Sequence, residues 1–203
     1  MITVFHAPRS RSVRVVWACE EMGLPYTVIP VSFGAPRPPG FLEANPSGTL
    51  PAFRDDDVLI TESVAILQYL ADRYGPTPLA VRPDQPDYPD YLQFMFLGEA
   101  GLAAPLNAVI GTRFFAPEDQ RGGNWTIEMV IGGFHNRMKL VDRQLSKSPY
   151  MAGDAFTMAD ISVGYAVGLA HMLGLNDRLA PAVEDYYARV TERPAYLKAM
   201  GGA

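Results

Sequence analysis

Apolar residues keep two different spacings in the first third of the chain and a single spacing after it. Residues 2–5 form an apolar run of strand length, and Val13, Val16 and Cys19 then recur at helical spacing until Gly23 and Pro25 end the pattern. A second strand follows over residues 26–31. Strand, helix, strand in that order implies a parallel pair joined by a right-handed crossover. A Pro/Gly-rich loop over residues 34–40 leads to an edge strand after Pro51, a turn at Asp55-Asp56-Asp57, a short strand over residues 58–60 and a helix over about 63–74. Residues 75–89 hold five prolines and read as a linker. Beyond them strand signals vanish. Residues 91–115, 125–145, 157–173 and 182–193 all carry the helical period, which predicts an all-α second part. Its best-marked helix start is Thr157, where Asp160 three residues on forms a variant capping box, so this carboxylate is assigned to folding rather than catalysis.

Composition narrows the function classes. With 203 residues, 48% of them hydrophobic and 19% charged, the chain is long enough for two small domains with real cores. A net charge of −5 without a Lys/Arg cluster argues against a nucleic-acid partner. The single cysteine, Cys19, excludes an internal disulfide and suits a reducing compartment, and the N-terminus enters a strand directly with no secretion signal, so a cytoplasmic location is expected. Residues 161–175, the longest apolar stretch, include Ser162 and His171 and fit a buried core helix better than a membrane span. No metal-ligand cluster, phosphate loop or dinucleotide fingerprint is present, since Gly122-Gly123 and Gly132-Gly133 follow no strand.

The chemistry concentrates in two places. A proline between short apolar segments cannot donate a ladder hydrogen bond, so Pro51 belongs at a strand's first residue or edge, with a cis Leu50-Pro51 bond expected. Leu50 would then offer its backbone N–H and C=O to an extended ligand. At Thr61-Glu62-Ser63 a helix opens, its free N–H groups suited to a carboxylate and Glu62 to a cation. Together these describe a half-built site for a small peptide. The loop Pro8-Arg9-Ser10-Arg11-Ser12 lies where the first strand gives way to the first helix, a place where open α/β sheets put ligands. Serines in this position commonly cap the helix, which is the favoured reading of the residues alone.

Five segments in this order resemble the glutathione transferase family: residues 7–17, residues 20–26, the Pro51 segment from Asn45 to Phe53, Thr61-Glu62-Ser63 with Ala65-Ile66, and residues 151–161. The resemblance covers nearly the whole chain. It implies a thioredoxin-like α/β domain over residues 1–75, a linker over 76–89, and an all-helical domain over 90–203 that lines the second-substrate site. It further implies glutathione as co-substrate, no metal, a homodimer, a detoxifying activity, and attack by bound thiolate on an apolar electrophile. By the family's pattern Ser10 is the catalytic serine that donates a hydrogen bond to the glutathione sulfur, while Ser12 keeps its capping role. Leu50 and Pro51 hold the peptide backbone, and Glu62 and Ser63 the γ-glutamyl ammonium and carboxylate. A thiol pKa lowered from about 8.5 to about 6.5 would raise the thiolate share at pH 7 from roughly 3% to roughly 75%, a differential of about 2.7 kcal/mol. That is much for one hydroxyl, and Arg11 with the positive end of the first helix is expected to help.

Departures from the pattern bear on individual residues. Phe5 and His6 stand where tyrosine-type transferases carry a tyrosine; His6 could polarise a thiol, although a strand-end histidine is more often a satisfied structural one. Cys19 lies too far inside its helix for a thiolate. Thr49 replaces the basic residue common before the apolar-Pro pair, which leaves Arg37 as a candidate for the glycine end. The electrophile is expected against Tyr91, Phe94, Met95, Phe114, Phe115 or His171, of which any one is more readily core than pocket. Rival functions are a glutathione-dependent isomerase, dehalogenase or disulfide reductase, and a non-catalytic glutathione-binding or protein-interaction module.

Overall fold

The computed structural model describes residues 1–201. The first 80 residues run β1 (Ile2–His6), α1 (Ser12–Glu21), β2 (Tyr26–Pro30), α2 (Phe41–Ala44), β3 (Ala52–Asp55), β4 (Val58–Ile60) and α3 (Ser63–Arg73). They build one four-stranded sheet of order β2-β1-β3-β4, in which β1 pairs parallel with β2 and antiparallel with β3. This is the thioredoxin-like arrangement. The sequence pattern puts the strand after Pro51 at an edge, whereas in the structure that strand is interior. Pro51 precedes β3 by one residue, so its missing N–H falls outside the ladder and Ala52 is the residue that pairs with Phe5. Helix α1 explains its own placement, because Val13, Val15, Val16, Trp17 and Cys19 are all buried. The Leu50-Pro51 bond is cis, as expected, and so is Gly75-Pro76.

Residues 81–190 form a second compact unit. The sequence pattern predicts a single helix over residues 91–115. The structure breaks it into α4 (Tyr88–Phe96), a wide π-type segment at Leu97–Ala103, α5 (Asn107–Ile110) and a second wide segment at Gly111–Phe115. Two features account for the break. Pro105 cannot donate to the helical ladder, and at Gly98 the backbone closes so tightly on Ser162 that any Cβ would collide with it. The Ser162 hydroxyl donates to the Met95 carbonyl at 2.7 Å, satisfying an acceptor the wide turn leaves over. Helix α6 (Trp125–Leu145) starts at Asn124, whose side chain accepts from the Ile127 N–H, and α7 (Met158–Met172) and α8 (Pro181–Thr191) complete the unit. The run Tyr88–Phe115 is apolar and long enough to cross a membrane by length and composition. Its Tyr91, Phe94, Met95, Leu102 and Val109 are nonetheless buried inside the helical unit.

The Thr157 capping box is present in full. Fully buried Asp160 accepts from the Thr157 N–H at 2.8 Å, the Met151 N–H at 2.9 Å and the Tyr186 hydroxyl at 3.1 Å. Burial pushes its carboxyl up to about 6, against the pull of those donors. Asp160→Ala leaves several buried donors unanswered at once, so we expect a loss of roughly 3 kcal/mol or more, read as a lowered urea midpoint with unchanged slope. A loss below about 0.5 kcal/mol would show that the box does not hold α7 in place.

The last helix, α9 (Pro194–Ala199), has no separate signal in the sequence, and the resemblance implies one helical domain over residues 90–203. Residues 191–201 group with the first unit. Arg193 grips Glu21 with two bonds of 2.6 Å, Lys198 reaches Glu20 at 2.7 Å, and Tyr196 packs edge-on against Trp17 at 4.9 Å. The bidentate pair is geometrically favourable and partly buried, so α9 is tied down by more than surface charge.

Candidate functional site

Three structural elements of the first unit meet at one end of the sheet. Because β3 runs antiparallel to β1, the start of β3 lies beside the end of β1, with Ala52 opposite Phe5. Pro51 and the loop Ala7 to Arg11 therefore share that end. Helix α3 joins them through α1: buried Arg14, one turn beyond Ser10, donates from Nη1 to the Ser63 hydroxyl at 3.1 Å. This is the carboxyl end of the parallel strand pair, where α/β folds place ligands.

The loop after β1 is tightly organised. Arg9 adopts a left-handed conformation with φ 65°, an uncommon state for a side-chain-bearing residue and one that concentrates at functional loops. It turns Ser10 back on the strand end. The Ser10 hydroxyl donates to the Ala7 carbonyl at 2.8 Å, lies 2.7 Å from the Ser12 hydroxyl, and accepts from the Ser12 N–H at 3.3 Å. Ser10 is half-buried, whereas Ser12 is fully buried. Of the two hydroxyls, only that of Ser10 can touch a ligand. Arg11, also half-buried, occupies the N-cap position of α1 with no side-chain cap. The expected capping role of Ser12 is thus not what the structure shows. Ser12 is already inside the helix, and its hydroxyl turns back to His6 Nδ1 at 2.8 Å and the Ala7 N–H at 3.2 Å.

The loop before β3 is knotted by a residue that periodicity alone does not single out. Buried Asn45 donates from Nδ2 to the Thr49 carbonyl at 2.7 Å and the Pro51 carbonyl at 3.3 Å, and its Oδ1 accepts from the Ser47 N–H at 3.0 Å. Leu50 packs its side chain on the cluster of Phe5, Val31, Phe41, Ala44 and Ala52. Its backbone N–H and C=O have no protein partner among the described residues. Arg37 lies over the Phe41 ring and donates to the Gly48 carbonyl at 3.3 Å.

At the opening of α3, Glu62 is the N-cap residue, extended and exposed, and no side chain caps the helix. Neither Thr61 nor Ser63 does so. Ser63 is the first helical residue, buried, and the acceptor of the Arg14 bond. A cation beneath and helix N–H groups in front make this end suited to an anion, with the Glu62 carboxylate beside it for a cation. The signal for Arg14 is present in the sequence as a charge inside the apolar run Val13-Arg14-Val15-Val16.

The remaining candidates separate clearly. Burial pushes the Cys19 thiol up to about 12, with the charges of Glu20 and Asp55 adding to it, so this thiol is inert at neutral pH. In the helical unit Tyr91, Phe94 and Met95 are core residues, while Phe114 and Phe115 are exposed. His171 stacks on Tyr187 and faces Glu184 at 3.1 Å. Among the described residues no group of three or more His, Cys, Asp or Glu could hold a metal ion.

The sequence profiles of the glutathione S-transferase N-terminal and C-terminal domains match residues 4–78 and 125–189. The chain belongs to the glutathione S-transferase family. It is 29% identical over 206 residues to glutathione S-transferase GstB of Escherichia coli (strain K12), covering 98% of both chains. It is 26% identical to the disulfide-bond oxidoreductase YfcG of the same organism, covering 98% of this chain and 94% of that one. The solved glutathione transferase URE2P6 of Phanerochaete chrysosporium, in complex with oxidized glutathione, superimposes with a TM-score of 0.84 at 26% identity, over 98% of this chain and 94% of that one.

Proposed function

We propose that this protein is a glutathione transferase of serine type, which binds glutathione at the end of the sheet in its first unit and directs the thiolate at a small apolar electrophile. The observation that carries the reading is the Ser10 hydroxyl, half-exposed at the strand-to-helix turn, beside an open Leu50 backbone and an uncapped α3. Leu50, with Pro51 behind it, receives the cysteinyl backbone as an added strand. Ser63 and the N–H groups of α3 take the γ-glutamyl carboxylate, and Glu62 takes the ammonium. Ser10 donates to the sulfur, which favours the charged form, and Arg11 with the positive end of α1 adds to the field. Attack by a lowered-pKa thiolate held near its target is the whole of the chemistry the protein must supply.

We further propose a cytoplasmic homodimer acting in detoxification. A second reading, disulfide reduction at the same site, is favoured by the likeness to a disulfide-bond oxidoreductase; isomerase and dehalogenase activities use the same bound thiolate. Retention on immobilised glutathione followed by assay against a generic aryl halide and a glutathione mixed disulfide separates these. Conjugation supports the transferase, turnover of the disulfide alone supports the reductase, and retention with no turnover leaves a binding module.

A further inference from the structure

Removing a proton from the glutathione thiol requires that the proton go somewhere, and Ser10 alone has no place for it. Behind Ser10 the structure holds a line of three groups leading inward. Ser10 Oγ and Ser12 Oγ are 2.7 Å apart, and Ser12 Oγ and His6 Nδ1 are 2.8 Å apart. Ser12 is fully buried and His6 only 8% exposed, so water does not compete along this line. The backbone of Ala199, at the end of α9, favours the protonated form of the ring, against the larger effect of burial. With the proton of the neutral ring on Nε2, Nδ1 is an acceptor. Ser12 then donates to Nδ1, and its oxygen is open to the Ala7 N–H and to the Ser10 hydroxyl. The Ser10 hydroxyl can donate to the Ala7 carbonyl at 2.8 Å or to Ser12 at 2.7 Å, and when it turns to Ser12 every O–H in the line points inward.

We propose that His6 is the terminal acceptor of the glutathione thiol proton, reached through Ser10 and Ser12. The S–H bond breaks as the sulfur proton passes to Ser10 Oγ; the Ser10 proton passes to Ser12 Oγ, and the Ser12 proton to Nδ1. The products are a thiolate and an imidazolium, with no proton released and no other reactant consumed. All three donors now point outward, so His6 supports Ser12, Ser12 supports Ser10, and Ser10 donates to the sulfur. Burial keeps the ring neutral before glutathione binds, and the thiolate charge favours its protonation afterwards. The clasp of α9 on α1, through Arg193–Glu21 and Lys198–Glu20, thereby positions a group of the reaction.

This inference rests on the reading of Ser10 as the sulfur's partner, and the experiment separates the two. Glutathione is titrated into the protein near pH 7, with thiolate followed by ultraviolet absorbance, proton release counted calorimetrically in buffers of different ionisation enthalpy, and His6 followed by nitrogen NMR. In the parent protein we expect thiolate to form with far less than one proton released per thiolate, and the His6 ring to become doubly protonated. His6→Phe and Ser12→Ala should each lower the thiolate fraction and the conjugation kcat by about ten-fold or more, with glutathione affinity changed less than about three-fold. Should His6→Phe fail to fold, Ser12→Ala, which deletes one oxygen, carries the test. One proton released per thiolate with His6 still neutral overturns the inference. So do Ser12→Ala and His6→Phe proteins that form thiolate as the parent does while Ser10→Ala does not. If Ser10→Ala itself forms thiolate normally, the Ser10 reading fails first and takes the relay with it.

Discussion

Ser10→Ala should lower the rate of glutathione conjugation by about ten-fold or more, equivalent to a loss of about 1.4 kcal/mol or more of thiolate and transition-state stabilisation. Glutathione affinity should change little, because the backbone, carboxylate and ammonium interactions proposed for the ligand involve other residues. The structure sharpens the expectation. Ser12 is 2.7 Å behind Ser10 but fully buried, so it cannot move forward to replace the missing hydroxyl without unwinding the first turn of α1. The deletion is also structurally mild, since Ser10 is half-buried and its backbone N–H is held by the Ala7 carbonyl at 3.2 Å. Steady-state kinetics on a generic aryl halide, at saturating and limiting glutathione, check the split. Undiminished kcat would remove Ser10 from the mechanism, and a raised KM with unchanged kcat would make it a binding group only.

Local signals in the sequence translate well where local physics decides the outcome. The capping box at Thr157 and the β-turn at Asp56 need only residues a few positions apart, and both are legible. What the pattern cannot give is order in space. Nothing in residues 52–55 says that they will lie between β1 and β4, since strand order is set by pairing across 50 residues of chain, and an edge position is the natural inference from Pro51. The same holds for α9, whose short run shows no period of its own and whose partners Glu20, Glu21 and Trp17 lie at the far end of the sequence. Ser12 is the instructive case at the candidate site. A serine before an apolar run reads as a cap, but the helix starts one residue earlier than the pattern suggests, and the buried hydroxyl finds His6 and Ala7 instead. Asn45 is visible as the first residue of the Pro51 segment, yet its hold on the Thr49 and Pro51 carbonyls depends on a loop conformation that composition does not encode.

Glu62→Ala should weaken glutathione binding by about 10- to 150-fold, the equivalent of roughly 1.5 to 3 kcal/mol for removing a charge-assisted hydrogen bond at a partly desolvated site. The thermal midpoint should not move. Glu62 is exposed, its side chain makes no capping bond, and its contribution to α3 is the backbone carbonyl that accepts from the Ile66 N–H at 2.9 Å, which alanine retains. Ser63→Ala should behave differently. Ser63 does not cap the helix either, but it is buried and accepts from Arg14, so its removal takes an acceptor from a fully buried guanidinium and should cost about 1 to 3 kcal/mol of stability. It also removes a donor from the proposed carboxylate site, so affinity should fall together with the melting temperature. The pair of variants therefore separates ligand recognition from helix support at adjacent positions. Calorimetric titration with glutathione, run beside thermal melts, reads both quantities. If Glu62→Ala binds as tightly as the parent while Ser63→Ala only melts earlier, the opening of α3 is a structural joint between two helices and the γ-glutamyl end of glutathione must be held elsewhere.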